Sequence, residues 1–379
     1  MVIIMTYLDY SATTPVNKDV LDSFNKVCLN YIGNPNSLHK LGIEANKLIE
    51  EATNQIADIL GVKSSEIIYT SGSSEANNLA IKGIAMRYKN RGNHIITTPL
   101  EHSSINGPLN YLMDNGFEVD FVKLNEFGMV DLDDLKGLIR DTTILVSINS
   151  VNSEIGLRQP IEEIGVLLKE YPKIFFHVDM TQSIGKMNIP LDNVDLMSFS
   201  AHKIYGLKGI GCLIKKEKIS LEPLIHGGKS TTVYRSGTPA LGLICSISKA
   251  LRLATCDLDD RYSHVLKLNT YLKDCLKKYK NVYINSNDYS VPFVLNMSVI
   301  GVKPETLLHA LEMDDIYIST QSACSSSTTV SKAVMVLTND EKRASSSVRV
   351  SISYLTTMEE INVFLSSFDR IYKRLVGEV

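Results

Sequence analysis

Leu196-Met-Ser-Phe-Ser-Ala-His-Lys-Ile-Tyr-Gly206 decides the fold: a short apolar run breaks off abruptly into Ser200-Ala-His-Lys203. A brief apolar segment ending in polar residues and glycine reads as a strand covered on both faces. Outward from it the same pattern recurs. Ile67-Ile-Tyr-Thr70 leads into Ser71-Gly-Ser-Ser-Glu75, residues 143–148 into Asn149-Ser-Val-Asn152, and residues 174–178 into Asp179. Further strands are read at 94–97, 117–122 and 211–214, with helices at 74–88, 103–115 and 161–170. Buried strands alternating with helices predict an α/β domain with a mainly parallel sheet. Ligands of open α/β sheets gather beyond the carboxyl ends of the strands, where these polar residues fall.

After residue 244 the texture changes to a long helical stretch, 246–280, followed by strands at 294–299, 316–319 and 347–352. This reads as a smaller C-terminal α+β domain, 246–379, beside a large domain, 15–245, with residues 1–14 joined to the small one. Between 319 and 329, eight of eleven residues are Ser or Thr, a composition that buries little apolar area and predicts a mobile segment. A formal charge of −3 over 379 residues offers no basic field for nucleic acid or an anionic membrane surface. No apolar run approaches the ~18 residues of a membrane span, and the first residues lack the pattern of a secretory signal. Met5 is a second candidate start. The six cysteines are scattered without a CxxC pair, which argues against a zinc site or a disulfide framework and for a reducing, cytoplasmic setting.

Lys203 and Asp179, each at a strand end, suit pyridoxal 5′-phosphate (PLP), which needs a lysine for its aldehyde and an acid facing its pyridine nitrogen. Either residue alone reads as a surface lysine or a turn aspartate; together with the surrounding serines they point to the cofactor. Ser73 and Ser74 open a helix, where free N–H groups and hydroxyls favour a phosphate, and Ser200 and His202 beside the lysine complete the cradle. His102, past another strand end, is placed to stack on a ring or exchange protons. Cys324 differs from the other cysteines, which sit in a strand (Cys212) or in helical patterns (Cys28, Cys245, Cys256, Cys275). It lies in the hydroxyl-rich segment, where a thiol is accessible and reactive. Arg349 is a candidate carboxylate clamp.

These residues lie in motifs that run nearly end to end. They include Tyr7-Leu-Asp-Tyr-Ser-Ala-Thr-Thr-Pro15, Gly33-Asn-Pro-Asn-Ser37, Thr70-Ser-Gly-Ser-Ser-Glu75, Glu101-His102 and Val151-Asn-Ser-Glu-Ile-Gly156. His177-Val-Asp-Met-Thr-Gln182, Ser200-Ala-His-Lys-Ile-Tyr-Gly206, Arg235-Ser-Gly-Thr238 and Ser322-Ala-Cys324 follow. The set resembles cysteine desulfurases of the NifS/IscS type, in the class V aminotransferase group of fold-type I PLP enzymes. The resemblance implies a seven-stranded sheet in the large domain, a homodimer and L-cysteine as substrate. It implies PLP on Lys203 as a Schiff base, Asp179 on the pyridine nitrogen, Gln182 on the ring hydroxyl with Asn152 nearby, and His102 stacked on the ring. Ser74, Ser200 and His202 would hold the phosphate with Thr238 of the other subunit, and Arg349 the substrate carboxylate. Cys324 would take the sulfur as a persulfide, for an iron–sulfur scaffold or a tRNA-thiolating enzyme.

Gln321 and Ser353 stand where the group commonly has glycine, residues 331–338 depart from its pattern, and the chain ends short of the tail some members carry. These departures leave the acceptor open. Two other readings stay open: a class V relative acting on selenocysteine or transferring an amino group, marked by a different product, and an idle sulfur-relay subunit, marked by the lack of a lysine-bound cofactor.

Overall fold

The computed structural model describes residues 5–320 and 330–377. In chain order the strands are β1 (Thr6–Tyr7), β2 (Ile67–Thr70), β3 (His94–Thr97), β4 (Glu118–Phe121), β5 (Thr143–Asn149), β6 (Phe175–Asp179), β7 (Leu196–Ser200), β8 (Gly211–Lys215), β9 (Val282–Ile284), β10 (Val294–Val299), β11 (Ile316–Tyr317) and β12 (Ser347–Ser351). The helices are α1 (Lys18–Asn30), α2 (Lys40–Leu60), α3 (Ser73–Arg87), α4 (Ser103–Met113), α5 (Leu132–Leu138), α6 (Ile161–Leu168), α7 (Leu241–Ala254), α8 (Leu258–Leu276), α9 (Pro304–Glu312), α10 (Lys332–Thr338), α11 (Glu341–Ser345) and α12 (Met358–Val376).

Seven strands form one sheet in the order β2-β8-β7-β6-β5-β3-β4. Every pairing is parallel except those of β8, which runs antiparallel to both β7 and β2. The carboxyl ends of β2, β5, β6 and β7 therefore face one edge, and the four polar strand ends read from the sequence meet there. Successive side chains of a strand point to opposite faces. Accordingly Phe175 packs with Ile81 and Leu109 from α3 and α4, while Phe176 and Val178 join a core shared with α2, α6 and α7. The result is a three-layer α/β sandwich.

The antiparallel sheet β12-β10-β9 carries a second core in which Val294, Met297, Val348 and Val350 pack with α8 and with Phe364 and Phe368 of α12. β1 pairs in parallel with β11, and Leu8 is buried in this second core, so the first described residues belong to it.

The helical stretch expected over 246–280 is two helices. Asp257 adopts a left-handed conformation at φ 54° and breaks it, which also puts Cys256 in an exposed connection instead of a helix. Ile247, Leu251 and Ala254 of α7 pack in the core of the large sheet, whereas Val265 and Leu268 of α8 lie in the second core. On this ground we propose a division between α7 and α8, later than residue 245.

α7 also presses on the turn that follows β6. Gly185 there has φ +64°, and a Cβ would lie 2.7 Å from the Ala254 Cβ. Gly185→Ala should lose about 1–3 kcal/mol in denaturant unfolding, from the left-handed backbone with the clash added. Unchanged stability would mean that α7 yields at this contact.

Candidate active site

A cavity of about 900 Å³ opens at the shared strand ends. Its lining brings together Ser73, Ser74, His102, Asn152, Asp179, Gln182, Ser200, His202, Lys203 and Arg349. Thr238 is not among the lining residues, and Cys324 lies outside the described residues.

Lys203 ends a single tight turn, Ala201–Lys203, directly after β7. Its ammonium donates to the carbonyls of Ser11 and, at 2.7 Å, Ala12. The turn is fastened by the same N-terminal segment. The Thr14 N–H and hydroxyl both donate to the His202 carbonyl at 2.9 Å, and the Thr14 hydroxyl accepts the Tyr205 N–H at 2.8 Å. Tyr205 pays for the turn with a left-handed backbone at φ 63°.

The start of α3 abuts this turn. The Ser73 N–H donates to Ser200 Oγ at 2.6 Å, and the Ser200 hydroxyl donates to Ser73 Oγ at 3.0 Å. These hydroxyls and the free N–H groups of the first helical turn make an anion cradle. Glu75 braces it from behind, accepting the Ser71 N–H at 2.7 Å and Arg235 Nε at 3.0 Å. Burial works against its charge, but the bonds from Ser71 and Arg235 prevail and hold its carboxyl below the usual range.

A buried polar chain underlies Asp179 and His102. Asp179 accepts the Thr181 N–H at 2.9 Å and Asn77 Nδ2 at 2.8 Å. The Asn77 amide also donates to Ser104 Oγ at 2.8 Å, while its oxygen accepts the Ser198 hydroxyl. His177 sits between Ser147 and Ser198 at 2.9 and 3.2 Å, and burial drives its pKa down to about 4, so it is neutral. Ser104 meets His102 Nδ1 twice, through its N–H at 3.1 Å and its hydroxyl at 2.8 Å. A backbone N–H only donates, so Nδ1 is an acceptor and the His102 proton belongs on Nε2.

Several site residues had no role in the sequence reading. Glu101 Oε1 accepts from the Thr98 hydroxyl, the Asn149 N–H and Asn149 Nδ2 at 2.8, 2.8 and 3.0 Å, while Oε2 is buried without a partner among the described residues. Burial pushes its pKa up to about 8, so it holds a proton at neutrality. Asp9 pairs with Arg349 at 2.7 Å, and the Ser153 carbonyl accepts Arg349 Nη1 at 3.0 Å. Arg349 is 1% exposed, yet its Nε has no partner among the described residues, so a donor is left for an anion. Asn152 caps its own turn, accepting the Glu154 and Ile155 N–H groups at 2.9 Å and donating to the Leu100 carbonyl at 2.8 Å. One amide hydrogen of Asn152 is left for a ligand. Asp9 carries its only signal in the Tyr7-Leu-Asp motif; its pairing across 340 residues is visible in three dimensions alone.

A strand-end lysine, an acid on the neighbouring strand and an anion cradle at the first helix fit PLP, and the fold is that of the fold-type I transferases. The chain belongs to the aminotransferase class-V family, which it matches over residues 6–364. It is 39% identical over 374 residues to the cysteine desulfurase IscS of Dictyoglomus turgidum, covering 97% of this chain and 95% of that one. Among solved structures it is similar to a NifS-like protein with a TM-score of 0.93 at 34% identity, covering 98% and 100% of the two chains. It is also similar to SspA in complex with cysteine, with a TM-score of 0.82 at 31% identity and coverage of 93% and 100%.

Burial pushes the His102 pKa below the ordinary imidazole range, with Asp179 opposing and Lys203 adding to the shift. The folded state therefore resists the proton more than the unfolded chain, and stability falls as the pH drops through that range. Nitrogen-15 NMR at neutral pH should show His102 uncharged with its proton on Nε2. A proton on Nδ1 would contradict the bonding from Ser104.

Proposed function

We propose that this protein is a cysteine desulfurase, taking sulfur from L-cysteine, releasing L-alanine and holding the sulfur as a persulfide on Cys324. The observation that carries the reading is Lys203 beside Asp179 in a cavity whose far wall holds the buried, partly unpaired Arg349. The named activity of the Dictyoglomus relative and the cysteine in the SspA complex support the same substrate.

PLP, when bound, supplies a sink for the electrons released at the substrate Cα. Lys203 would hold its aldehyde, Asp179 its pyridine nitrogen and Gln182 its ring hydroxyl. Ser73, Ser74, Ser200 and His202 would hold the phosphate, and His102 and Asn152 would flank the ring. Arg349, braced by Asp9 and Ser153, offers Nε to the substrate carboxylate, a charge-assisted bond that orients the amino acid. The Cys324 thiolate attacks the substrate sulfur; the S–S bond forms as the C–S bond breaks, and the electron pair left on carbon is protonated to give alanine.

A homodimer, with Thr238 reaching the partner's phosphate site, is part of the proposal. Its support is an apolar stretch between residues 29 and 43, where Leu29, Ile32 and Leu38 are 79, 80 and 94% exposed. A reducing, cytoplasmic setting suits a persulfide, and the described cysteines are all free thiols. Among the described residues no helix is long and apolar enough to cross a membrane. The acceptor is proposed to be an iron–sulfur scaffold or a tRNA-thiolating enzyme.

Given cysteine without oxygen, the protein should release alanine and gain one labile sulfur per chain. Cys324→Ala should retain the cofactor but lose nearly all sulfur release. Release at the wild-type rate would remove Cys324 from the reaction, and a keto acid in place of alanine would indicate amino transfer.

A further inference from the structure

The turn after β6 carries a second lysine that the proposed function leaves without a role. Lys186 stands four residues beyond Gln182, and its ammonium donates to the Gln182 amide oxygen at 3.1 Å. Gln182 is buried, lines the cavity and donates from Nε2 to the Ser11 carbonyl at 3.0 Å. That carbonyl also accepts the Lys203 ammonium. The two ends of an amide differ little in shape, so its partners decide which way it faces. A charged lysine can only donate. Lys186 therefore draws the amide oxygen to itself and turns both amide hydrogens toward Ser11 and Lys203. Ser11 takes one; the other has no acceptor among the described residues.

The charge of Lys186 is exposed to several neighbours. Lys203 and His202 face it from the turn after β7 and Arg349 from β12. Arg261 of α8, with Tyr10 and Tyr205, lines the same small cavity. Among the described residues no carboxylate pairs with it. Burial, with Lys203 and Arg349 adding to it, pushes its pKa down to about 7. An uncompensated cation in such a place is costly, and an anion bound nearby relieves the cost. Gly185, where a Cβ would strike Ala254, lets this turn lie against α7.

We propose that Lys186 is a positioning residue for the cofactor, fixing the Gln182 amide so that an N–H meets the ring oxygen and favouring the anionic form of that oxygen. The inference rests on PLP being held at Lys203. Favouring the anion lowers the proton affinity of the lysine–cofactor linkage, because the deprotonated form is the one stabilised.

The measurement is a pH titration of the visible band of the lysine-bound cofactor in wild-type protein, Lys186→Met and Lys186→Arg. The midpoint should rise by about one pH unit in Lys186→Met and return toward wild type in Lys186→Arg, as expected for a lost neighbouring charge. Gln182→Leu, which keeps the charge but breaks the relay, should raise the midpoint as well, and it serves if Lys186→Met does not fold. A midpoint equal to wild type in Lys186→Met would overturn the inference alone, whereas one in Gln182→Leu would overturn it and also take Gln182 off the ring oxygen. A wild-type protein with no such band would overturn the cofactor reading and this inference with it.

Discussion

The backbone from Asp9 to Asn17 holds the two halves of the site to each other. Its carbonyls at Ser11 and Ala12 receive the Lys203 ammonium, and Thr14 and Asn17 bond the turn that presents this lysine. Ser11 also donates its N–H to Ser351 Oγ at 2.9 Å, and Asp9 grips Arg349 on the same strand, β12. Lysine and arginine come from different cores, yet one short segment fixes both. A catalytic lysine must meet its target within a few tenths of an ångström, and a substrate clamp on another core can do so only if the two are cross-braced.

Beneath this brace, electrostatics divide the labour among the buried acids. Asp179 accepts hydrogen bonds from two donors, Thr181 and Asn77. Glu101, close by, holds a proton because it is entirely buried and Asp179 raises its pKa further. One acid thus lines the cavity, held by two donors. The other is a neutral strut between Thr98 and Asn149. His102 and His177 are kept uncharged by burial.

Much of the large domain was legible because strands buried on both faces leave short, mainly apolar runs that end in polar residues, as in Ile67–Thr70 and Phe175–Asp179. The parallel sheet then brought Lys203, Asp179 and the Ser73–Ser74 helix start to one edge, as their strand-end positions implied. α2 was less visible because alanines carry half of its buried face (Ala45, Ala52, Ala57). The break between α7 and α8 has no glycine or proline to announce it; Thr255-Cys-Asp257 turns left-handed at an aspartate. Asp9, Asn77 and Lys186 escaped notice for a different reason. Each acts through a partner distant in sequence or through a second side chain, and residue type and spacing record neither.

The proposed function requires that Lys203 carry the cofactor. Borohydride reduction of the PLP-loaded protein, followed by peptide mass mapping, tests it most directly. The added pyridoxyl phosphate mass should fall on the peptide containing Lys203 and disappear in Lys203→Ala. A modification on another lysine of the cavity, such as Lys208, or none at all, would contradict it.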